Sequence, residues 1–232
     1  MRSEELPRIR QLPLFHSMEE EHFQALTNAA YLQHFPPQVE LIHEGDSADF
    51  LYIVVEGAVE LFAKSNDREA SMAMVRPVGT FILAAVLKDA VYLMSARTTE
   101  KSRVLMIPSE NIRNIFERDE AFARAIVVEL ASCYRSVVKD HKGLKLRTGV
   151  ERLANRLIRF HNDQGANGSV ELPYDKRTLA SLMGMTPENL SRAFNTLKPY
   201  GVKVDGSRVY LHDLEGLTGL AKVNPLIDDR KT

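Results

Sequence analysis

The chain has 232 residues, of which 44% are apolar, and it carries 30 basic and 31 acidic side chains. This length suits two domains, and the apolar fraction is too high for a disordered chain. A single cysteine, Cys133, excludes an intramolecular disulfide framework and a cysteine-rich zinc or iron–sulfur site. The first residues lack the apolar stretch of a signal peptide, and the longest apolar run, Phe81–Leu87, is too short to span a membrane. We therefore expect a cytoplasmic protein with no membrane partner.

The charge is unevenly distributed along the chain. Residues 1–145 hold 17 basic and 21 acidic side chains, whereas residues 146–232 hold 13 and 10. The C-terminal part is therefore the better candidate for contact with a polyanion.

The first 30 residues are predicted to be helical, with Ser17 and Glu20 at the spacing of a capping box. From residue 35 to about residue 107, short apolar runs alternate with turn residues at regular spacing, which is typical of an antiparallel sandwich or barrel. Gly45 and Gly57 fall at sharp turns that need a positive φ.

Residues 109–145 are predicted to form one long helix, because neither glycine nor proline interrupts them before Gly143. Apolar residues recur along this helix at intervals of three and four, as in a two-stranded coiled coil. The alternative is a helix packed on its own barrel, and the segment around Gly143 is a candidate hinge. The predicted dimer interface consists of Ile126, Leu130, Cys133, Val137 and Leu144.

The C-terminal part has the pattern of a winged helix-turn-helix. Thr148 and Glu151 form a second capping-box pattern. Further along, the sequence predicts a helix from Asp175, a break at Gly184, a helix over 186–198 and a hairpin around an Asp-Gly turn. The second helix of such a unit is the one that enters the major groove of DNA.

The second helix predicts a set of DNA contacts. Arg192 can bond a guanine twice and Glu188 can accept a hydrogen bond from a cytosine. Alternatively, these two residues form only a surface ion pair, since they are four positions apart. The helical spacing places Leu190, Ala193, Phe194 and Leu197 on the buried face. Base contacts are predicted for Thr186, Pro187, Glu188, Asn189, Ser191 and Arg192, and phosphate contacts for Lys176, Arg177 and Arg208.

Two segments resemble the cyclic-AMP receptor protein/fumarate–nitrate regulator (CRP/FNR) family of bacterial transcription regulators. They are residues 44–59 in the barrel and residues 179–192 in the helix-turn-helix, within a similarity that extends from about Leu14 to Leu217. The resemblance implies an α+β fold with a jelly-roll sensor domain of the cyclic-nucleotide-binding type (1–108). It further implies a dimerisation helix (109–145), a winged helix-turn-helix domain (146–217) and a C-terminal tail (218–232).

The resemblance also implies a homodimer on a two-fold-symmetric operator in double-stranded DNA, and contact with RNA polymerase near residues 161–169. Glu188, Ser191 and Arg192 match the E-x-x-S-R pattern of the FNR branch, and Pro187 stands where the CRP branch has arginine. We therefore expect half-sites that contain TGA, centred about one helical turn apart. No hydrolase, zinc-protease or P-loop motif is visible, so we expect no enzyme.

The effector region departs from the family pattern. Cyclic-nucleotide binders of this fold have Gly-Glu and Arg-Ser-Ala, with the arginine on the cyclic phosphate, where this chain has Gly79-Thr80 and Met94-Ser95-Ala96. Methionine supplies no cation, and strand alternation places Arg97 on the other face. We therefore expect a small-molecule effector other than cyclic AMP. The predicted effector pocket consists of Gly79, Thr80, Phe81, Met94 and Ser95.

Residues 81–93 are nearly all apolar, and they predict either a pocket for an apolar ligand or a short core helix. Family members similar here are called FtrB-like, a label that fixes no effector. One alternative is a haem-based gas sensor, and another is a constitutive DNA-binding dimer with a vestigial sensor. A haem would need an axial ligand from among His16, His22, His34, His43, Met94 and Cys133.

Overall fold

The computed structural model describes residues 5–66 and 68–229 of the chain. It divides into two compact units, residues 1–133 and 134–232, and the boundary falls inside one long helix. Strands dominate the first unit and helices the second, in agreement with the predicted α+β fold.

The N-terminal unit is built from two four-stranded antiparallel sheets with the orders β1-β8-β3-β6 and β2-β7-β4-β5. The strands are β1 (Tyr31–Phe35), β2 (Glu40–Ile42), β3 (Phe50–Glu56), β4 (Val59–Ser65), β5 (Arg68–Val75), β6 (Gly79–Phe81), β7 (Ser95–Thr98) and β8 (Ser102–Pro108). The helices are α1 (Leu6–Arg10), α2 (Glu20–Ala29), α3 (Leu83–Lys88), α4 (Ser109–Arg118) and the first part of α5 (Glu120–Leu146).

The two sheets enclose an apolar core to which β3 contributes Leu51, Ile53 and Val54, each at most 1% exposed. The predicted positive φ is confirmed at Gly45 (92°) and Gly57 (81°). At Gly57 a Cβ atom would also lie 2.5 Å from the Lys101 carbonyl oxygen, so the turn admits no side chain.

The predicted capping box of Ser17 and Glu20 is wrong. Helix α2 begins at Glu20 with Glu19 as its N-cap, and no side chain of the N-cap bonds to the helix. Instead, the Glu19 amide donates to Asp119 Oδ2 at 2.9 Å. A carboxylate distant in sequence therefore satisfies the free amide at this helix start.

The predicted single helix over 109–145 is also wrong, because it is broken at Asp119 into α4 and α5. Asp119 leaves the helical conformation (φ −114°, ψ 105°), and its Oδ1 accepts from the Phe122 amide at 2.8 Å. This is the geometry of an N-cap. Helix α5 then continues through Gly143 to Leu146, so the connection to the next helix lies at residues 147–148 and the candidate hinge around Gly143 falls within a helix.

The C-terminal unit contains the predicted winged helix-turn-helix. The Thr148–Glu151 capping box is present, and Thr186 caps α8 with Pro187 in its first turn. Its elements after α5 are α6 (Gly149–Asp163), β9 (Ser169–Glu171), α7 (Lys176–Leu182), α8 (Pro187–Leu197), a 3-10 turn (Lys198–Tyr200), β10 (Val202–Asp205), β11 (Arg208–Leu211), α9 (Leu214–Ala221) and α10 (Pro225–Asp228).

The C-terminal tail has more structure than the sequence suggested. Helix α9 runs across the predicted boundary at residue 217, and its Leu217 and Ala221 are fully buried in the second core. The tail therefore belongs to the helix-turn-helix unit. The hairpin is confirmed, with Gly206 (φ 60°) and Ser207 as the two residues between β10 and β11.

Candidate nucleic-acid interface and effector region

Helix α8 presents one buried and one exposed face. Its buried residues are Leu190, Ala193, Phe194 and Leu197, as predicted. All nine predicted DNA-binding residues are exposed, which leaves their side chains accessible, whereas their contacts with DNA stay a prediction. They are Lys176, Arg177, Thr186, Pro187, Glu188, Asn189, Ser191, Arg192 and Arg208.

Glu188 is held as an acceptor at the start of α8. Its pKa is lowered by a hydrogen bond from its own backbone amide, then by the Thr186 hydroxyl, and further by the charge of Arg192. Among the described residues, no ion pair within 4.0 Å joins Glu188 to Arg192. The alternative of a simple surface pair is therefore not favoured, and both groups remain available to base edges.

Helix α7 places two cations in its first turn. Asp175 caps the helix by accepting from the Thr178 amide at 2.7 Å, and Lys176 and Arg177 follow it directly. Cations at this position, beside free helix amides, favour contact with phosphate.

The wing presents a face that the sequence analysis described only in part. Arg208 Nε donates to Glu171 Oε2 at 3.3 Å, and the hydrogen bonds that Arg208 donates to Glu171 and then to Tyr210 raise the pKa of Arg208. Lys203 is exposed and pairs across the hairpin with Tyr210, whose ring stacks on His212 at 6.1 Å. Lys203 is therefore a further exposed cation on the same face as Arg208, as the alternation of the hairpin also indicates.

The five predicted effector residues come from two sheets and differ in their roles. Gly79, Thr80 and Phe81 form β6, whereas Ser95 begins β7 and Met94 precedes it. A Cβ atom at Gly79 would lie 2.7 Å from the Arg76 carbonyl oxygen, which is a packing reason for this glycine. The Thr80 hydroxyl donates to Glu129 Oε1 at 2.8 Å and so joins β6 to α5.

Phe81 and Ser95 are buried. The Phe81 ring stacks on Tyr52 with centroids 5.2 Å apart. Ser95 Oγ accepts from the Glu44 amide at 2.9 Å. Both side chains therefore serve the barrel itself, and their role toward an effector stays a prediction.

Arg97 is engaged on the face predicted for it, away from the barrel core. It bonds Glu60 Oε2 at 2.8 Å and Glu69 Oε1 at 2.7 Å, and its guanidinium lies 4.2 Å from the Phe62 ring centroid. Burial opposes its charge, but the bonds with Glu69 and Glu60 outweigh burial and raise the pKa of Arg97. This arginine is therefore not placed to replace the missing phosphate ligand.

The apolar segment 81–93 contains the short helix α3, with Leu83 and Val86 buried in the barrel core. Its other part is open to solvent, since Leu93 is 77% exposed and Val91 48% exposed. Of the two predicted structures, the short core helix is the one observed.

A surface groove of about 680 Å³ lies along the first turns of α5, and none of the five predicted effector residues lines it, although Thr80 bonds to its lining residue Glu129. Its apolar walls come from Leu14, Ala125 and Val128. The remaining lining residues are Pro13, Ser17, Glu19, Asp119, Glu120, Ala121, Arg124 and Glu129.

Three of the six candidate haem ligands have other partners within the fold. None of them lines the groove, and within the described residues no three His, Cys, Asp or Glu side chains cluster as metal ligands. His22 Nδ1 lies 2.9 Å from Asp119 Oδ2, His43 Nε2 lies 2.9 Å from Glu40 Oε2, and Met94 packs on the barrel core. The haem alternative therefore stays a prediction.

Helix α5 carries an exposed apolar stripe whose register differs from the predicted interface. Ile126 is fully buried in the barrel core, so its assignment to a dimer interface is wrong. Val127 (57% exposed), Tyr134 (71%) and Val137 (65%) are exposed instead. With Leu130, His141 and Leu144 they repeat at alternating steps of three and four along one helix face.

Comparison with known proteins assigns both units. Residues 32–119 match the cyclic nucleotide-binding domain family, and residues 151–220 match the Crp-like helix-turn-helix domain family. A "CRP-like cAMP-activated global transcriptional regulator" of Mycobacterium tuberculosis is 24% identical over 90% of this chain and 96% of its own length.

Solved structures of similar fold cover most of the chain. A regulatory protein of Silicibacter pomeroyi is 28% identical, with a TM-score of 0.60 over 96% of this chain and 100% of that one. FixK2 of Bradyrhizobium japonicum shares the fold at 22% identity, with a TM-score of 0.71 over 84% of this chain and 98% of that one.

The two matched domains follow one another along this chain. Within the described residues, no helix combines the length and apolar character needed to cross a membrane. The chain belongs to the CRP/FNR family of DNA-binding transcription regulators, with a sensor domain of the cyclic-nucleotide-binding type followed by a Crp-like helix-turn-helix domain.

Proposed function

We propose that this protein is a homodimeric regulator that binds an FNR-type operator and responds to an effector other than a cyclic nucleotide. The proposal that the protein binds an FNR-type operator rests on the exposed start of α8, which contains Glu188, Ser191 and Arg192. The E-x-x-S-R order supports TGA-containing half-sites, read through guanine and cytosine edges.

Dimerisation is supported by the exposed stripe on α5. Its members Val127, Tyr134 and Val137 are each more than half exposed in the single chain, which is unusual for large apolar side chains repeated on one helix. A second copy of the helix would cover this stripe as a two-stranded coiled coil and would place two recognition helices on successive major grooves.

The effector proposal rests on the missing cation. Met94 stands where the resemblance places a phosphate-binding arginine, and Arg97 is bonded to Glu60 and Glu69. A change at the effector site would reach α5 through the hydrogen bond between Thr80 and Glu129, which joins β6 to α5. An effector shifts the protein toward its DNA-binding form only if it binds that form more tightly.

Arg192→Ala is expected to weaken binding to a duplex with two TGA half-sites by about 1–3 kcal/mol, because a bidentate guanine contact is lost. It should also relax the preference at the contacted base pair. Fluorescence anisotropy with single-substitution duplexes measures both effects. A uniform loss over all sequences would instead place Arg192 on a phosphate.

Arg177→Ala is the matched control, since it removes the same side chain from a predicted phosphate contact. It should weaken binding to all duplexes alike and reduce the salt slope by about one.

Cyclic AMP is expected to change operator affinity by less than about twofold, because Met94 cannot form a charge-assisted phosphate contact and Arg97 is already bonded to Glu60 and Glu69. Titration calorimetry and anisotropy with cyclic AMP test this. Saturable binding that tightens the operator complex would contradict it. An affinity that is identical in buffer and in fractionated cell extract would instead favour a constitutive dimer.

A further inference from the structure

The C-terminal segment, residues 222–229, folds back onto the junction between α5 and α6. Both carboxylate oxygens of Asp228 accept from Arg147, from Nη1 at 2.7 Å and from Nη2 at 2.6 Å. Arg147 directly follows α5, and its side chain is only 8% exposed. This is a bidentate, largely enclosed ion pair, the geometry in which such pairs are strong.

Other contacts join the same segment to both sides of the junction. Lys139 Nζ on α5 donates to the Asp229 carbonyl oxygen at 2.5 Å. Lys222 Nζ donates to Glu151 Oε1 on α6 at 2.8 Å. A Cβ atom at Gly143 would lie 4.0 Å from Ile227, so α5 is closely approached by the segment there. These contacts therefore hold the junction between α5 and α6 against a segment that lies about eighty positions further along the chain.

The junction is also joined to the turn of the helix-turn-helix. Arg152 donates from Nη1 to the Arg147 carbonyl oxygen at 2.7 Å and from Nε to the Met183 carbonyl oxygen at 3.0 Å. These carbonyls follow the ends of α5 and α7, where a cation is favourable. A continuous set of bonds thus runs from Asp228 through Arg147 and Arg152 to the turn before α8.

We infer that Arg147 and Asp228 are positioning residues for operator binding: their ion pair fixes the direction in which α6 leaves α5. The inference rests on the proposed function, since direction matters only where two linked recognition helices must bind two half-sites at once. Without the ion pair, α6 would leave α5 in a wider range of directions. Binding to DNA would then have to select one of these directions, at a cost in free energy. The second half-site would then be engaged at a lower effective concentration.

Asp228→Asn keeps the size of the side chain and Arg147→Lys keeps its charge, and both test the inference because each removes the bidentate ion pair. Anisotropy is measured on a two-half-site duplex and on a duplex with one half-site. We expect a roughly tenfold loss on the first and no change on the second. The reversed pair, Arg147→Asp with Asp228→Arg, should recover most of the loss.

Glu215→Gln is the matched control for charge, since it removes an exposed carboxylate of α9, outside the 222–229 segment, and should affect both duplexes alike. Equal losses on both duplexes for Asp228→Asn would assign the pair a merely structural role and overturn the inference, as would no loss on either. A wild-type protein with no preference for two half-sites over one would instead refute the proposed function.

Discussion

Val137→Lys is expected to make the protein monomeric and to weaken its binding to a two-half-site operator by roughly a hundredfold or more. Val137 is 65% exposed in the single chain, so lysine there leaves the folded chain intact. In the proposed dimer the two copies would bring two like charges into an apolar seam, where an unpaired charge is strongly unfavourable.

Sedimentation velocity measures the oligomeric state, and anisotropy measures the affinity for the operator. Val128→Lys is the matched control, because Val128 is a valine of the same helix and is 60% exposed. The two valines are nine positions apart, which is two and a half helical turns, so they lie on opposite sides of α5. The control should remain a dimer, and a dimeric Val137→Lys protein would contradict the proposed seam.

The sequence pattern alone could not decide which residues of α5 form the exposed stripe. Apolar residues occupy both positions 126 and 127, so the sequence admits two neighbouring stripes. Ile126 faces the barrel core and Val127 faces solvent, and that choice depends on where α5 starts and how it packs. The start is set by Asp119, whose N-cap signal lies within a run of charged residues without a glycine or proline.

The DNA-binding unit was predicted more accurately because its signals are local. Thr186, Pro187 and the Gly206 turn each act within a few residues, through capping, a fixed φ and a positive φ. The division of α8 into buried and exposed faces follows from a period of 3.6 residues. Those properties need no knowledge of the rest of the fold.

The contacts between distant segments could not be predicted in the same way. Arg147 meets Asp228 across 81 positions, and the Glu19 amide meets Asp119 across 100. In the sequence each is one charged residue among many, with nothing to indicate its partner. The effector region is similar, because Gly79 and Ser95 belong to different sheets and acquire their roles from packing.

Asp119→Ala is expected to lower the free energy of unfolding of the sensor unit by about 2–4 kcal/mol. Asp119 is 2% exposed and accepts three hydrogen bonds, from the amides of Phe122 and Glu19 and from His22 Nδ1. Its removal would leave the buried Phe122 amide and the partly buried Glu19 amide, at the starts of two helices, without these partners. Urea unfolding followed by far-UV circular dichroism measures the loss.

Asp175→Ala is the matched control, since Asp175 also caps a helix, but it is exposed and accepts one amide bond there. Loss of an exposed cap costs only about 1 kcal/mol. If Asp119→Ala cost no more than Asp175→Ala, Asp119 would be an ordinary cap and would not join α2 to α5.

The contribution of Asp119 should also depend on pH. Burial opposes its ionisation, but the amides of Phe122 and Glu19, together with His22, outweigh burial and lower the pKa below the ordinary value of 3.8. As the pH falls, the unfolded chain therefore takes up the proton first, and the stabilisation by the carboxylate is lost as the pH passes through the native pKa. Asp119→Asn cannot titrate, so the stability difference between the wild type and this variant should shrink below pH 3.8. A difference that stayed constant down to pH 2.5 would show that the hydrogen bonds stabilise the fold without any need for the charge.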